Sequence, residues 1–95
     1  MKIQNDSNAK QIVDALRKAG AVVHWWIPAQ RQRGNPDLVV CYRGCMLLIE
    51  VKGPKTPLTE HQERFHAEWR AAGGVVAIVR TVGEALIACG IEPAF

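Results

Sequence analysis

The sequence has no apolar run long enough to be a membrane span. A helix that crosses a bilayer takes ~20 consecutive apolar residues, and the longest runs here lie near Cys45–Ile49 and Val75–Ile78. The segment Met1-Lys2-Ile3-Gln4-Asn5-Asp6-Ser7-Asn8 is polar and lacks the apolar core of a secretory signal. The expectation is a cytoplasmic protein with no membrane partner. Cysteines number only three, with no C-x-x-C, so neither a disulfide scaffold nor a zinc ribbon is indicated. They read as small hydrophobes in a reducing compartment. Internal repeats and low-complexity tracts are absent. Neither charge sign dominates: 12 Lys and Arg stand against 9 Asp and Glu, for a net charge of +3. That balance permits an anionic partner such as nucleic acid without requiring one.

What is present is ordinary globular composition, 48% hydrophobic and 22% charged, which argues against disorder. Ninety-five residues leave room for one domain, spanning 1–95. In Ala9–Ala19 the residues Ala9, Ile12, Val13, Leu16 and Ala19 form one apolar stripe at helical spacing. Ser7 or Asn8 is a suitable N-cap, and Gly20 a suitable stop. Ala21–Ile27, Asp37–Tyr42, Cys45–Lys52 and Val75–Arg80 read as strands. Pro28–Pro36 is a polar loop, and Arg43-Gly44 a turn. Thr59–Ala72 and Val82–Cys89 read as helices. The order αβββαβα describes an α/β fold, a mixed sheet flanked by helices.

The register of the Arg43-Gly44 hairpin carries the chemistry. A two-residue loop pairs Tyr42 with Cys45, and counting back along both strands sets Asp37 opposite Glu50. Opposed residues of an antiparallel pair project to the same face, with Cβ atoms ~4.5–5.5 Å apart. Lys52, two residues beyond Glu50, shares that face. Like charges so placed destabilise a sheet unless something compensates. A divalent cation does so, and hard carboxylate oxygens joined by the Val51 carbonyl suit Mg²⁺ or Mn²⁺.

Pro36-Asp37 followed by Glu50-Val51-Lys52 resembles the PD-(D/E)XK nuclease motif. Gly34-Asn35-Pro36-Asp37-Leu38, Ile49-Glu50-Val51-Lys52-Gly53, Leu58-Thr59-Glu60-His61-Gln62 and Gly74-Val75-Val76 with Val79-Arg80 together are similar to the VRR-Nuc family, including its small stand-alone phage and bacterial members. The resemblance runs from about Ala9 to Leu86. It implies a restriction-endonuclease-like core and metal-dependent cleavage of DNA phosphodiesters. It also implies a homodimer and branched substrates such as four-way (Holliday) junctions. A repair or restriction-type nuclease on flapped or linear DNA is the alternative, as is a non-catalytic DNA-binding module. Members often carry a first-helix glutamate that helps bind metal. The matching region here, Asn5–Asn8, has none, and Asp6 is the candidate replacement.

In this reading Asp37 and Glu50 hold the ion, and Lys52 orients the water or offsets transition-state charge. Gln62 has two readings. Thr59-x-x-Gln62 fits a capping box, yet Leu58, Gln62, Phe65, Trp69 and Ala72 share one helical face, where a buried polar group needs a partner. Arg31 and Arg33, with Gln30 and Gln32 beside them, and Lys55 are candidate phosphate contacts. His24, His61 and His66 have no zinc-site company and read as ordinary histidines. Trp25, Trp26 and Trp69 read as core or interface. Val75–Arg80 and the last helix are the candidate dimer surface.

Overall fold

Seven elements form in the expected order. The computed structural model describes residues 7–27 and 34–92. They are α1 (Ser7–Lys18), β1 (Val22–Trp25), β2 (Leu38–Tyr42), β3 (Cys45–Val51), α2 (Glu60–Ala71), β4 (Val76–Val79) and α3 (Val82–Ala88). The strands stand in the order β1-β2-β3-β4. The first three pair antiparallel, and β4 lies parallel to β3 after the α2 crossover. A parallel neighbour needs such a crossover, whereas antiparallel ones need only turns.

The stripe of α1 does what its spacing predicts. Ile12 and Leu16 are fully buried, and Ala9 and Val13 nearly so. They pack with Val23, Leu38, Val40, Leu47, Ile49 and Val51 from alternate strand positions, and with Ala85 and Cys89 of α3. That set is one face of the sheet, because side chains alternate along a strand. The other face carries Glu50 of β3 and Lys52 just past its end and is covered by α2. Trp26 meets Phe65 of α2 there, ring centroids 5.8 Å apart. Arg70 of α2 donates to the Val76 carbonyl at 2.8 Å. The fold is thus a sheet between α1 with α3 on one side and α2 on the other. Among the described residues no helix is long and apolar enough to cross a membrane.

The hairpin turn has the predicted length. Arg43 (φ 47°) and Gly44 (φ 82°) are both left-handed, the pattern of a type I′ turn. Tyr42 pairs with Cys45 and Leu38 with Ile49, as the count requires. At Asp37 the ladder departs from expectation. β2 begins at Leu38, and the Asp37 N–H donates to the Ile49 carbonyl at 3.0 Å, one residue out of step. The Asp37 carboxylate accepts the Val51 N–H at 2.8 Å. An aspartate side chain competes well for a nearby backbone donor, so here it takes the place of a ladder carbonyl.

Two other expectations change. Asn8 does not cap α1 but lies inside it, and its amide donates to the carbonyls of Lys52 (3.1 Å) and Arg80 (3.3 Å). It ties α1 to the ends of β3 and β4. The polar loop falls mostly on residues 28–33, outside the described residues, where Arg31 and Arg33 also lie; Asp6 lies outside them too. Where the chain resumes, Gly34 has φ 86°, and a Cβ there would collide with the His61 carbonyl. Gly34 lets the chain press against the first turn of α2. Gly34→Ala is expected to lower stability by ~1–3 kcal/mol through strain and collision; denaturant unfolding measures it.

Candidate active site

Asp37, Glu50, Val51, Lys52 and Gln62 line one cleft of about 480 Å³, walled on its far side by Thr56. The cleft sits where β2 starts and β3 ends. Glu50 is on the central strand with only 1% of its surface exposed, and Lys52 follows at 8%. Charged residues reach such depth only with partners.

Glu50 has partners of unequal quality. Its Oε2 accepts from Gln62 Nε2 at 3.2 Å. Its Oε1 has no hydrogen bond among the described residues. Burial pushes the Glu50 carboxyl up to about 8, the Asp37 charge and a hydrogen bond with Asp37 push the same way, and Lys52 opposes them. The two carboxyls are therefore close enough to resist sharing a double negative charge.

Gln62 satisfies both of its readings at once. Its Oε1 accepts the Thr59 N–H at 2.9 Å, and its N–H donates to the Thr59 hydroxyl at 3.2 Å, a complete capping box. The cap fixes the amide so that Nε2 is left for Glu50. Val51 is placed by the ladder. Its N–H points at Asp37, and the N–H and C=O of a strand residue leave the same edge. Its carbonyl therefore faces the edge that Asp37 occupies.

Three further residues, none of them a candidate site residue by sequence, shape the cleft. Arg80 donates from Nη1 to the Gly53 carbonyl and, at 2.8 Å, to the Thr56 carbonyl. It pins the turn that follows Lys52. Asn8 holds the Lys52 carbonyl from the other helix layer. His66, read as an ordinary histidine, is the one buried residue of α2 and is 1% exposed. Its Nε2 lies 3.5 Å from Glu50 Oε1. The expected stripe had put Phe65 and Trp69 on the buried face with Gln62. They are half-buried instead, their rings stacked at 5.6 Å, with Phe65 also touching Trp26. The signal for His66 was its place one turn beyond Gln62.

Lys55 is on the exposed turn and does not line the cleft. Among the described residues no group of three His, Cys, Asp or Glu is placed to hold a metal. The available set is two carboxylates and a backbone carbonyl. Its chemistry fits a hard divalent ion: all donors are oxygen, and Glu50 offers a buried oxygen without a hydrogen bond.

A mixed sheet flanked by helices, with two carboxyls and a lysine gathered at the end of its central hairpin, is the layout of a nuclease-type domain. The VRR-NUC domain model matches residues 3–83, and the chain belongs to that family. It is 35% identical over 78 residues to p44 of Acyrthosiphon pisum secondary endosymbiont phage 1, a protein that carries a provisional nuclease name; the match covers 81% of this chain and 83% of the relative. A solved structure described as a VRR_NUC domain superposes with a TM-score of 0.70 at 27% identity, covering 86% of this chain and 96% of the other.

The raised Glu50 pKa has a consequence for stability. Below its ordinary 4.5, Glu50 is protonated in both folded and unfolded chains. Between 4.5 and about 8 the unfolded chain releases the proton and the folded one retains it, so stability falls as pH rises through that window. His66 acts at lower pH. Burial first, then Arg70 and Lys52, hold it below 6.5, so as pH drops under 6.5 the unfolded chain takes up a proton that the folded one resists, and stability falls. In chelator, the thermal midpoint is expected to decline from pH 6.5 to 8, and Glu50→Gln is expected to flatten that decline.

Proposed function

We propose that this chain is a Mg²⁺- or Mn²⁺-dependent endonuclease that hydrolyses DNA phosphodiester bonds. The observation that carries this reading is the buried Glu50, held near pKa 8 by burial and by its aspartate neighbour, at the wall of an open polar cleft. Such an arrangement is costly for a purely structural role and suited to a cation.

Asp37, Glu50 and the Val51 carbonyl would hold the ion. The chemistry such an ion would supply is an activated water and relief of charge on the phosphate. Lys52, a compact charge lining the same cleft, orients the water or stabilises the charge that develops on the phosphate oxygens. Gln62 keeps the Glu50 carboxylate from rotating. Arg31, Arg33 and Lys55 would contribute phosphate contacts.

The substrate reading is branched DNA, such as a four-way junction, cut by a homodimer. A chain of this size has little surface for a duplex, and two copies would set two clefts against two strands. Supporting it, β4 is an edge strand, and Val75 (56%) and Ile78 (37%) are exposed apolar residues there.

The test is incubation of four-way junction, flap and linear duplex DNA with Mg²⁺, Mn²⁺ or chelator. Cutting is expected only with metal and fastest on the junction. Asp37→Asn and Lys52→Ala are each expected to lose on the order of 10²–10³-fold in rate. Wild-type rates in either variant would remove the site assignment. Preference for flap or linear DNA would favour the repair or restriction-type alternative, and binding with no cutting in either metal a DNA-binding module. Light scattering gives the oligomeric state, with a dimer mass expected.

A further inference from the structure

Glu50 is flanked by two side chains from the same helix. Gln62 and His66 are four residues apart on α2 and so project to the same face one turn from each other. Gln62 Nε2 donates to Glu50 Oε2 at 3.2 Å. His66 Nε2 stands 3.5 Å from Glu50 Oε1. Glu50 Oε1 and both His66 nitrogens have no hydrogen bond among the described residues. A histidine this deep (1% exposed) with neither nitrogen paired is unusual, because buried polar side chains nearly always find partners. The oxygen that its Nε2 faces, Glu50 Oε1, is itself an acceptor without a hydrogen bond among the described residues.

We propose that His66 is a positioning residue for Glu50: its Nε2–H closes onto Glu50 Oε1 when that carboxylate holds a cation. This rests on the cation reading given above. The two α2 donors then occupy one lone pair on each Glu50 oxygen. The carboxylate is then fixed in rotation. At 3.5 Å the pair is at the outer limit of hydrogen bonding, and such contacts tighten when the site is loaded. The assignment also fixes the tautomer. With Nε2 protonated, Nδ1 is a bare lone pair, and a buried acceptor without a partner is easier to tolerate than a buried N–H without one.

Two measurements test it. Long-range ¹H–¹⁵N correlation of the imidazole rings in the wild-type protein reads the tautomer, with His66 signals assigned by their loss in His66→Gln. Nε2–H is expected, with its resonance moving on addition of Mg²⁺; an Nδ1–H tautomer overturns the proposal. Mn²⁺ binding by calorimetry is the second. His66→Leu keeps the bulk and removes the donor, and is expected to weaken Mn²⁺ binding ~10-fold with the thermal midpoint retained. His66→Gln, whose amide reaches the same place, is expected to restore most of the affinity. Wild-type affinity in His66→Leu, while Glu50→Gln loses Mn²⁺ binding, overturns the role of His66 alone. Unchanged affinity in Glu50→Gln as well means that the cation reading has failed, and the proposal falls with it. Should His66→Leu not fold, the tautomer and the His66→Gln affinity decide.

Discussion

A buried carboxylate next to a second carboxylate is the constraint around which this molecule is arranged. Glu50 is 1% exposed on the central strand, and its neighbours Ile49 and Val51 belong to the apolar core on the opposite face. A single strand therefore does two jobs by alternation. Its odd-numbered positions from Leu47 bind the sheet to α1 and α3, and Glu50 and Lys52 turn toward α2. The site cannot slip by one residue without turning the core inside out, so packing of Leu47, Ile49 and Val51 is what holds the acidic group in place.

The second helix is the other half of the arrangement. Its N-terminus is fixed three times over. Thr59 and Gln62 cap it reciprocally, Gly34 lets the incoming chain lie against His61, and Trp26 meets Phe65 one turn along. Each contact also sets where Gln62 and His66 point. Below the cleft, Arg80 and Asn8 hold the carbonyls of Gly53, Thr56 and Lys52, so the turn after β3 is braced by the ends of β4 and α1. Local capping and turn chemistry thus reach the site directly. The same residues that end the elements also aim the side chains.

Much of this was legible in the sequence, for stated reasons. The hairpin register followed from a two-residue turn with Gly44, a rule that allows little freedom. The α1 stripe followed from helical period, and the order of elements from breakers at Gly20, Pro28–Pro36 and Arg43-Gly44. What was not legible depended on three-dimensional neighbours. Asp37 left the ladder because the Val51 N–H was available to its side chain. Asn8, a good cap by type, sits inside α1 because two carbonyls from distant strands reach it. His66 looked ordinary because period alone ranks apolar side chains deepest. The buried face of α2 is instead set by the acidic group it covers, which displaces Phe65 and Trp69 toward the rim.

The distribution of the exceptions supports the same conclusion. In a sequence whose local preferences agree with its fold, departures concentrate where function requires them. Here the buried side-chain atoms without hydrogen bonds among the described residues belong to Glu50, His66 and Asn8. Two of these face one another across 3.5 Å, and the third residue holds the carbonyl of Lys52 through its other amide atom. The apolar core formed with α1 and α3 contains no such atom. An accidental defect would have no reason to prefer one strand end. A cluster there, lining or backing a polar cleft, with Glu50 raised in proton affinity first by burial and then by the Asp37 charge, means that core packing elsewhere supports a local excess of charge. That excess is relieved by a proton or, in the function proposed above, by a cation that its oxygen donors would suit.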